Sequence, residues 1–177
     1  MFNISSSKKT PFSPIAELCR LFVVIGCMAF GFPLTAQTAD KADNPFPANS
    51  PEHAALNAAS DYLSNDAFLL RQDYWKGGLS TELGKALQLQ FFKGNRYRFF
   101  FAINKANLPE QALLHLHIYD KASNEVASTS SKKSSNVIEL QFTPKSTGLY
   151  LVLMSIEVPK NSSARTDIPS VMFYGYE

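Results

Sequence analysis

The sequence predicts an all-β protein, a two-sheet antiparallel sandwich that is jelly-roll-like and carries one short N-terminal helix. Two observations lead to this prediction. Along several short runs, apolar side chains alternate with polar ones, which is the two-residue period of a strand with one buried face. Turn residues separate these runs at regular intervals, and only one segment has helical features. About seven or eight short strands in this arrangement are typical of a sandwich rather than of a parallel sheet.

The first 36 residues have the features of a signal peptide. Basic residues precede an apolar run from Leu21 to Phe32, and small residues follow it. We expect cleavage after Ala36, with Ala39 as the second choice. Twelve residues of helix reach about 18 Å, which is short of the roughly 30 Å of a hydrocarbon core. The sequence therefore predicts no transmembrane span in the mature chain.

A lipidated N-terminus is the alternative to this cleavage. The tetrapeptide Val24-Ile25-Gly26-Cys27 resembles a lipobox, which would make Cys27 the modified residue. Only six apolar or glycine positions separate Arg20 from Cys27, and the apolar run continues beyond the cysteine. Cleavage near Ala36 is therefore favoured. Both routes predict export, to the periplasm or to the outside of the cell.

Removal of residues 1–36 makes the chain formally neutral and free of cysteine. The whole sequence has 17 Lys and Arg against 15 Asp and Glu. The removed part holds three of the basic residues and one of the acidic ones, so 14 of each remain. A neutral domain has no basic excess to bind nucleic acid. Loss of Cys19 and Cys27 also excludes disulfide and thiolate chemistry from the mature protein.

Two regions are predicted after the signal peptide. Residues 37–49 are polar and interrupted by proline, which predicts a disordered linker. Residues 50–177 are predicted to form a single β-sandwich domain. At its start, Ser50 suits a helix N-cap, Pro51 the first helical position and Glu52 the positive end of the helix dipole. The helix has a thin apolar stripe, so we expect it to cap an edge or open end of the sandwich.

Two strand pairs stand out in the sequence. Ile138–Phe142 and Tyr150–Ile156 flank a Pro-Lys-Ser-Thr-Gly turn, and we predict a β-hairpin there. Leu83–Phe91 and Tyr97–Ile103 flank a Lys-Gly-Asn-Arg turn and predict a second pair. Ala67–Leu79 fits a strand or a continuation of the helix. Further strands are predicted at Leu113–Tyr119, Glu125–Ser128 and Ser170–Tyr176.

A series of strand and turn motifs runs from Lys85 to Ile156. In order, they are QLQFF, Gly94-Asn95, the aromatic strand YRFFFAI, Tyr119-Asp120, Phe142-x-Pro144 and Thr147-Gly148-x-Tyr150. This order resembles the bacterial pre-peptidase C-terminal (PPC) domain family. The resemblance implies a small β-sandwich, usually appended to secreted peptidases and related exported enzymes, that is not itself catalytic. Where the family has a pair of aspartates in the central strand, this chain has Leu-His-Leu-His at 114–117.

Few residues suggest reaction chemistry. His115 and His117 are two apart on a predicted strand, so both leave the same face, as two metal ligands would. No third ligand is identifiable, and we interpret the pair as an outward polar row, with no metal and no cofactor. The sequence has no Gly-x-Ser-x-Gly or His-Glu-x-x-His motif and no phosphate loop. We therefore predict no catalytic residue and no enzymatic activity.

Aromatic residues are the candidates for binding. Phe99 and Phe101 share the face assigned to the core, so Phe100 leaves the opposite face. We favour a covered Phe100, beneath the helix or the segment around Trp75. The alternative is an exposed patch in which Phe100 joins other aromatics, and such patches mark contact sites. For Trp75, core packing is favoured over a sugar-stacking platform. The candidate binding residues are Trp75, Phe100, Tyr119, Tyr174 and Tyr176.

These observations predict an exported, non-catalytic β-sandwich module that binds an unidentified protein or carbohydrate at the cell envelope or outside the cell. An alternative is a structural or assembly component of the envelope that pairs a sheet edge or an aromatic strand with a partner. A small metal-dependent hydrolase is the least favoured hypothesis, because no acid–base pair and no nucleophile with a base occurs at a recognisable spacing.

Overall fold

The computed structural model of the protein describes residues 44–106 and 108–177. The predicted signal peptide, its cleavage near Ala36 and the lipidation alternative at Cys27 lie outside these residues. Within them the chain forms one helix and nine strands. The helix is α1 (Pro51–Leu63), and the strands are β1 (Leu69–Leu70), β2 (Trp75–Leu79), β3 (Lys85–Phe91), β4 (Tyr97–Ile103), β5 (Leu113–Tyr119), β6 (Glu125–Ser130), β7 (Val137–Phe142), β8 (Gly148–Glu157) and β9 (Ile168–Tyr176).

The strands form two antiparallel sheets, as the sequence predicted for a sandwich. In sheet A, β4 lies between β7 and β9, and the far side of β9 pairs with β1 and β2 in succession. In sheet B the order is β3, β8, β5 and β6. The segment Ala67–Leu79, which suited a strand or a helix, therefore forms two short edge strands.

The core lies between the two sheets and is rich in aromatic rings. Phe91 of sheet B contacts Tyr97 and Phe99 of sheet A, with ring centres 4.5 Å and 5.5 Å apart. On β5, three successive inward side chains, Leu114, Leu116 and Ile118, are fully buried. This is the pattern that strand alternation produces when one face of a sheet is covered.

Helix α1 begins as the sequence predicted. Ser50 has an extended backbone, and its hydroxyl accepts a hydrogen bond of 3.1 Å from the His53 N–H, while Pro51 occupies the first helical position. The helix ends at Leu63, and Ser64 forms its C-cap. It lies across the outer face of sheet A, so the expectation that it caps an edge or an open end of the sandwich is wrong. Its small residues Ala55 and Ala59 allow close approach and are completely buried.

A second apolar cluster fills the space between α1 and sheet A. It comprises Ala55, Ala59, Phe68, Phe100, Ala102, Val171 and Phe173. Phe100 is fully buried, and the rings of Tyr62 and Phe68 lie 5.7 Å and 6.4 Å from its own. The favoured prediction, a covered Phe100, is therefore confirmed.

The hairpins predicted at the two clearest strand pairs are wrong. β7 and β8 belong to different sheets, and so do β3 and β4. In each pair the chain crosses between sheets, so the strands meet through side chains rather than backbone hydrogen bonds. Phe142 and Tyr150, for example, have ring centres 5.4 Å apart. Alternation places side chains on faces but does not decide whether consecutive strands pair or face each other.

The end of the predicted linker is packed against the fold. The Asn44 side chain donates a 3.0 Å hydrogen bond to the His53 carbonyl, and Phe46 lies 6.1 Å from Phe173 between ring centres. The prediction of a disordered linker is therefore wrong for residues 44–49. Residues 37–43 lie outside the described part of the chain.

Candidate functional site

The five aromatic candidates do not form one patch. Phe100 lies beneath α1, whereas Tyr119 lies on the outer face of sheet B. Tyr174 is opposite Phe99 in the β4–β9 register, so its ring points to the core side of sheet A and stacks on Phe99 at 5.9 Å. Trp75 is half-buried against the central core, which agrees with the favoured interpretation. The shared exposed aromatic patch is thus excluded by strand register.

Tyr174 and Tyr176 instead line a groove at one side of the sandwich, between β3 and the segment that joins β1 to β2. We call it the tyrosine groove. Its volume is about 390 Å³, within the range of small-ligand sites. Its lining residues are Arg71, Asp73, Gln88, Leu89, Gln90, Phe92, Asn95, Tyr97, Tyr174 and Tyr176.

An ion pair with an attached hydroxyl forms one wall of the tyrosine groove. Arg71 donates two hydrogen bonds to Asp73, of 2.7 Å and 3.0 Å, and the Tyr174 hydroxyl donates a third to Asp73 at 3.2 Å. The hydrogen bonds from Arg71 hold the pKa of Asp73 below its ordinary value. Burial, followed by the charge of Asp73, raises the pKa of Tyr174. The Arg71–Asp73 pair therefore has no net charge, and the phenol of Tyr174 stays protonated at neutral pH.

Amide side chains and aromatic rings form the rest of the groove. Gln88, Gln90 and Asn95 are the amides that line it. Each amide group both donates and accepts hydrogen bonds. The Tyr97 hydroxyl accepts a 2.9 Å hydrogen bond from the Phe92 N–H, which fixes its ring. The groove thus combines rigid rings with neutral hydrogen-bonding groups, a combination that suits an uncharged polar ligand.

A row of three rings lies on the outer face of sheet B. His115, His117 and Tyr119 are stacked along β5 with ring centres 6.1 Å and 6.2 Å apart. The prediction that the two histidines share an outward face is confirmed. Carboxylates at both sides of the row contact the histidines: Glu157 lies 3.0 Å from His115 and Glu125 lies 2.8 Å from His117.

One end of this row resembles a hydrolytic arrangement. The Ser130 hydroxyl lies 2.7 Å from Nδ1 of His115, and Glu157 contacts Nε2 of the same ring. A serine hydrolase also needs donors for the developing oxyanion and a place for the acyl group. The three side chains lie on an open sheet face, and the tyrosine groove does not include Ser130. Hydrogen bonding that orders the ring row accounts for these contacts.

The histidine row was also the sequence-based candidate for a metal site. Among residues 44–106 and 108–177, no group of three or more His, Cys, Asp or Glu side chains is placed to hold a metal ion. Both ring nitrogens of His115 already have polar neighbours, Ser130 and Glu157.

No model of a protein family matches this chain, and no curated protein matches it. The resemblance to the PPC domain family therefore stays a prediction based on the motifs between Lys85 and Ile156. In the part of the chain that the structure describes, no helix has the length and apolarity needed to cross a membrane.

Sequence reasoning missed the polar half of the tyrosine groove. Arg71 and Asp73 lie in a short irregular segment between two edge strands, where no periodicity assigns a face. The Asp73 carboxylate accepts a hydrogen bond from the Tyr174 hydroxyl, although the two residues are 101 positions apart in sequence. The only local signal is the opposite charge of two residues at positions i and i+2.

Proposed function

We propose that this chain is an exported, non-catalytic β-sandwich module that binds a neutral carbohydrate in the tyrosine groove. The observation that carries the proposal is the composition of this groove, which joins tyrosine rings and amide side chains to an ion pair that is neutralised within the wall. Tyr97 and Tyr174 are almost fully buried, so the most exposed ring that can face a sugar is that of Phe92, which is 54% exposed. The amides match the hydroxyl groups of a sugar as both donors and acceptors. Export is supported by the basic and apolar segments that precede Ala36.

A carbohydrate fits the tyrosine groove better than a charged ligand does. Arg71 and Asp73 engage each other through two hydrogen bonds, so neither charge is free to attract an ion. A volume of about 390 Å³ suits one or two sugar rings. The alternative is a protein partner at the same groove, in which case no immobilised glycan would bind.

The experiment is a screen of the processed protein against immobilised glycans, followed by calorimetric titration of the best ligand. A Gln90→Ala, Asn95→Ala double variant removes two groove amides and should weaken binding about tenfold, since each net hydrogen bond contributes roughly 0.5–1.5 kcal/mol. The matched control is Gln111→Ala, Asn161→Ala, which removes two amides outside the groove. Absence of any glycan ligand, or equal loss in both variants, would overturn the proposal.

Assembly in the envelope through a sheet edge remains a second candidate function. It is favoured by a different observation: within the described residues, one edge of β3 pairs with no other strand.

A further inference from the structure

Strand β3 is a free edge of sheet B. It pairs with β8 on one side, and in the described residues no strand pairs with its other side. Free edges are usually protected by charges, proline or irregularity. The strand β3 has one lysine, Lys85 at its start, and the run from Ala86 to Phe92 has no charged residue and no proline. By contrast, β6, at the opposite edge, begins with Glu125 and is followed by Lys132 and Lys133.

Exposed apolar side chains surround this edge. Leu83 and Phe92 flank β3 at its two ends and are 73% and 54% exposed. Leu149 and Leu151 lie on the neighbouring strand β8, opposite Gln90 and Gln88, and are 50% and 41% exposed. Apolar groups gathered around an unpaired edge are the features of a strand-pairing surface.

We propose that β3 pairs antiparallel with β3 of a second copy of this chain, about a two-fold axis at Gln88, to form one continuous eight-stranded sheet. A two-fold axis at Gln88 places Leu87 opposite Leu89 of the second copy. The same register places Ala86 opposite Gln90 and Gly84 opposite Phe92. On the outward side, Gln90 and Phe92 thus meet the smaller residues Ala86 and Gly84, while Gln88 meets its own copy at the axis.

Other registers are less favourable. The side chains of facing residues in an antiparallel pair leave the same side of the sheet. The two-fold axis must therefore pass midway between the two copies of one residue. An axis at Leu89 places Lys85 opposite Lys93 of the second copy, and like charges in this position repel. An axis at Leu87 places Glu82 opposite Phe92. Only the Gln88 register of these three leaves no charge conflict and pairs Phe92 with a glycine.

The pairing does not depend on the proposed carbohydrate site. Gln88, Gln90 and Phe92 line the tyrosine groove as well as the edge, so a partner strand runs along the rim of the groove. Asp73 belongs to the groove and not to β3, and Asp73→Asn therefore leaves pairing intact while it changes the groove wall. A monomeric chain that binds carbohydrate would overturn the pairing alone.

The first test is the sedimentation of the protein exported and processed by its own host, over a range of concentrations. The wild type should form a dimer. Gln88→Lys places two positive charges opposite each other at the axis and should weaken the dimer about fivefold, and an equal mixture with Gln88→Glu should restore it. The control is Gln141→Lys on the exposed side of β7. A wild type that stays monomeric, or equal behaviour of both lysine variants, overturns the proposal.

Disulfide formation tests the register directly, because the processed chain has no free cysteine of its own. Facing residues of an antiparallel pair have Cα atoms about 4.5–5.5 Å apart, within the range that a disulfide bridges. Gln88→Cys should therefore give a covalent dimer on mild oxidation. Ala86→Cys and Gln90→Cys should not, since each residue is displaced from its own copy by four positions, about 13 Å. Cross-linking at Ala86 or Gln90 in place of Gln88 overturns the register.

Discussion

The two outer faces of the sandwich differ in what covers them. The outer face of sheet A carries Phe100 and Phe173 and is covered by α1, which brings alanines against the rings. The outer face of sheet B carries His117 and the half-exposed Leu151, and it is open. Both faces follow the same strand alternation. A strand that is apolar on both faces, such as β4, therefore needs a third layer, whereas β5, with its polar outward row, does not.

Polar contacts at both ends of helix α1 also hold it against sheet A. Arg98 emerges beside the helix, pairs with Glu139 at 2.8 Å and lies 3.9 Å from the centre of the Tyr62 ring. At the other side, Lys76 of β2 forms an ion pair with the buried carboxylate of Glu52. The cover is therefore part of the folded domain, and its loss exposes the Phe100 cluster.

The largest expected effect is at Phe100. Phe100→Ala should lower the free energy of unfolding by about 3–5 kcal/mol, because it removes a buried ring and leaves a cavity between α1 and sheet A. Tyr119→Ala, on the open face of sheet B, should cost about 1 kcal/mol or less. Denaturant unfolding of both variants measures the difference between the faces. A near-neutral Phe100→Ala would show that the helix does not cover sheet A in solution.

A smaller effect is expected at Gly175. An added Cβ there would lie 2.6 Å from the Leu69 carbonyl oxygen and would also clash with Cζ of Phe68. Gly175→Ala should therefore cost about 1–3 kcal/mol by overpacking. Gly148→Ala in sheet B is the control, since nothing lies within 4 Å of its added Cβ. Equal melting temperatures for the two variants would contradict the close packing of Phe68 and Leu69 against Gly175.

Glu52 should make the stability of the domain fall at acid pH, because its ion pair with Lys76 joins α1 to β2. Burial alone would raise the pKa of Glu52, but the hydrogen bond and charge of Lys76 lower it below the ordinary value of 4.5. A lowered folded-state pKa contributes stability above the unfolded value, and this stability is lost as the pH falls. Glu52→Gln should therefore lose less stability than the wild type between about pH 5 and pH 3.

The control for Glu52 is Glu82→Gln, which changes an exposed glutamate before β3. It should keep the acid sensitivity of the wild type, measured by thermal unfolding at each pH. A Glu52→Gln variant whose stability falls as steeply as that of the wild type would show that the ion pair with Lys76 does not hold the cover.

The smallest effect is expected on the open face. A His115→Ala, His117→Ala double variant should change the free energy of unfolding by about 1 kcal/mol or less, because the Glu157 and Glu125 carboxylates that contact the two rings are largely exposed to solvent. A chelator should leave the melting temperature of wild type and variant unchanged. A drop of many degrees in the wild type alone would restore the metal hypothesis.

Local sequence signals predicted the elements of this fold well. The Ser50-Pro51-Glu52 signal placed the start of α1, because N-cap chemistry acts within one turn. Alternation placed β4, β5 and β8, since the two-residue period follows from strand geometry alone. The covered Phe100 was deduced from the same alternation and from the rarity of large exposed apolar patches.

Pairings and the candidate site depend on distant contacts that local signals do not contain. The turns after Phe91 and Phe142 look the same whether the chain folds back within a sheet or crosses to the other sheet. Tyr174 was a candidate for the alternative exposed patch, because its register against Phe99 is not visible in its own strand. His115 and Glu157 likewise meet across 42 positions of sequence.

The position of β9 has a consequence for how the protein is made. β9 is the last of the nine strands in sequence, yet it pairs with β1, β2 and β4 and holds sheet A together. Sheet A therefore lacks the strand that joins β1, β2 and β4 until residues 168–176 have been synthesised. The one pair of consecutive strands that forms a hairpin in the described chain is β5 and β6, so early folding has few local contacts to build on. Completion of sheet A therefore depends on contacts between strands that are far apart in sequence, which are the contacts that form slowly.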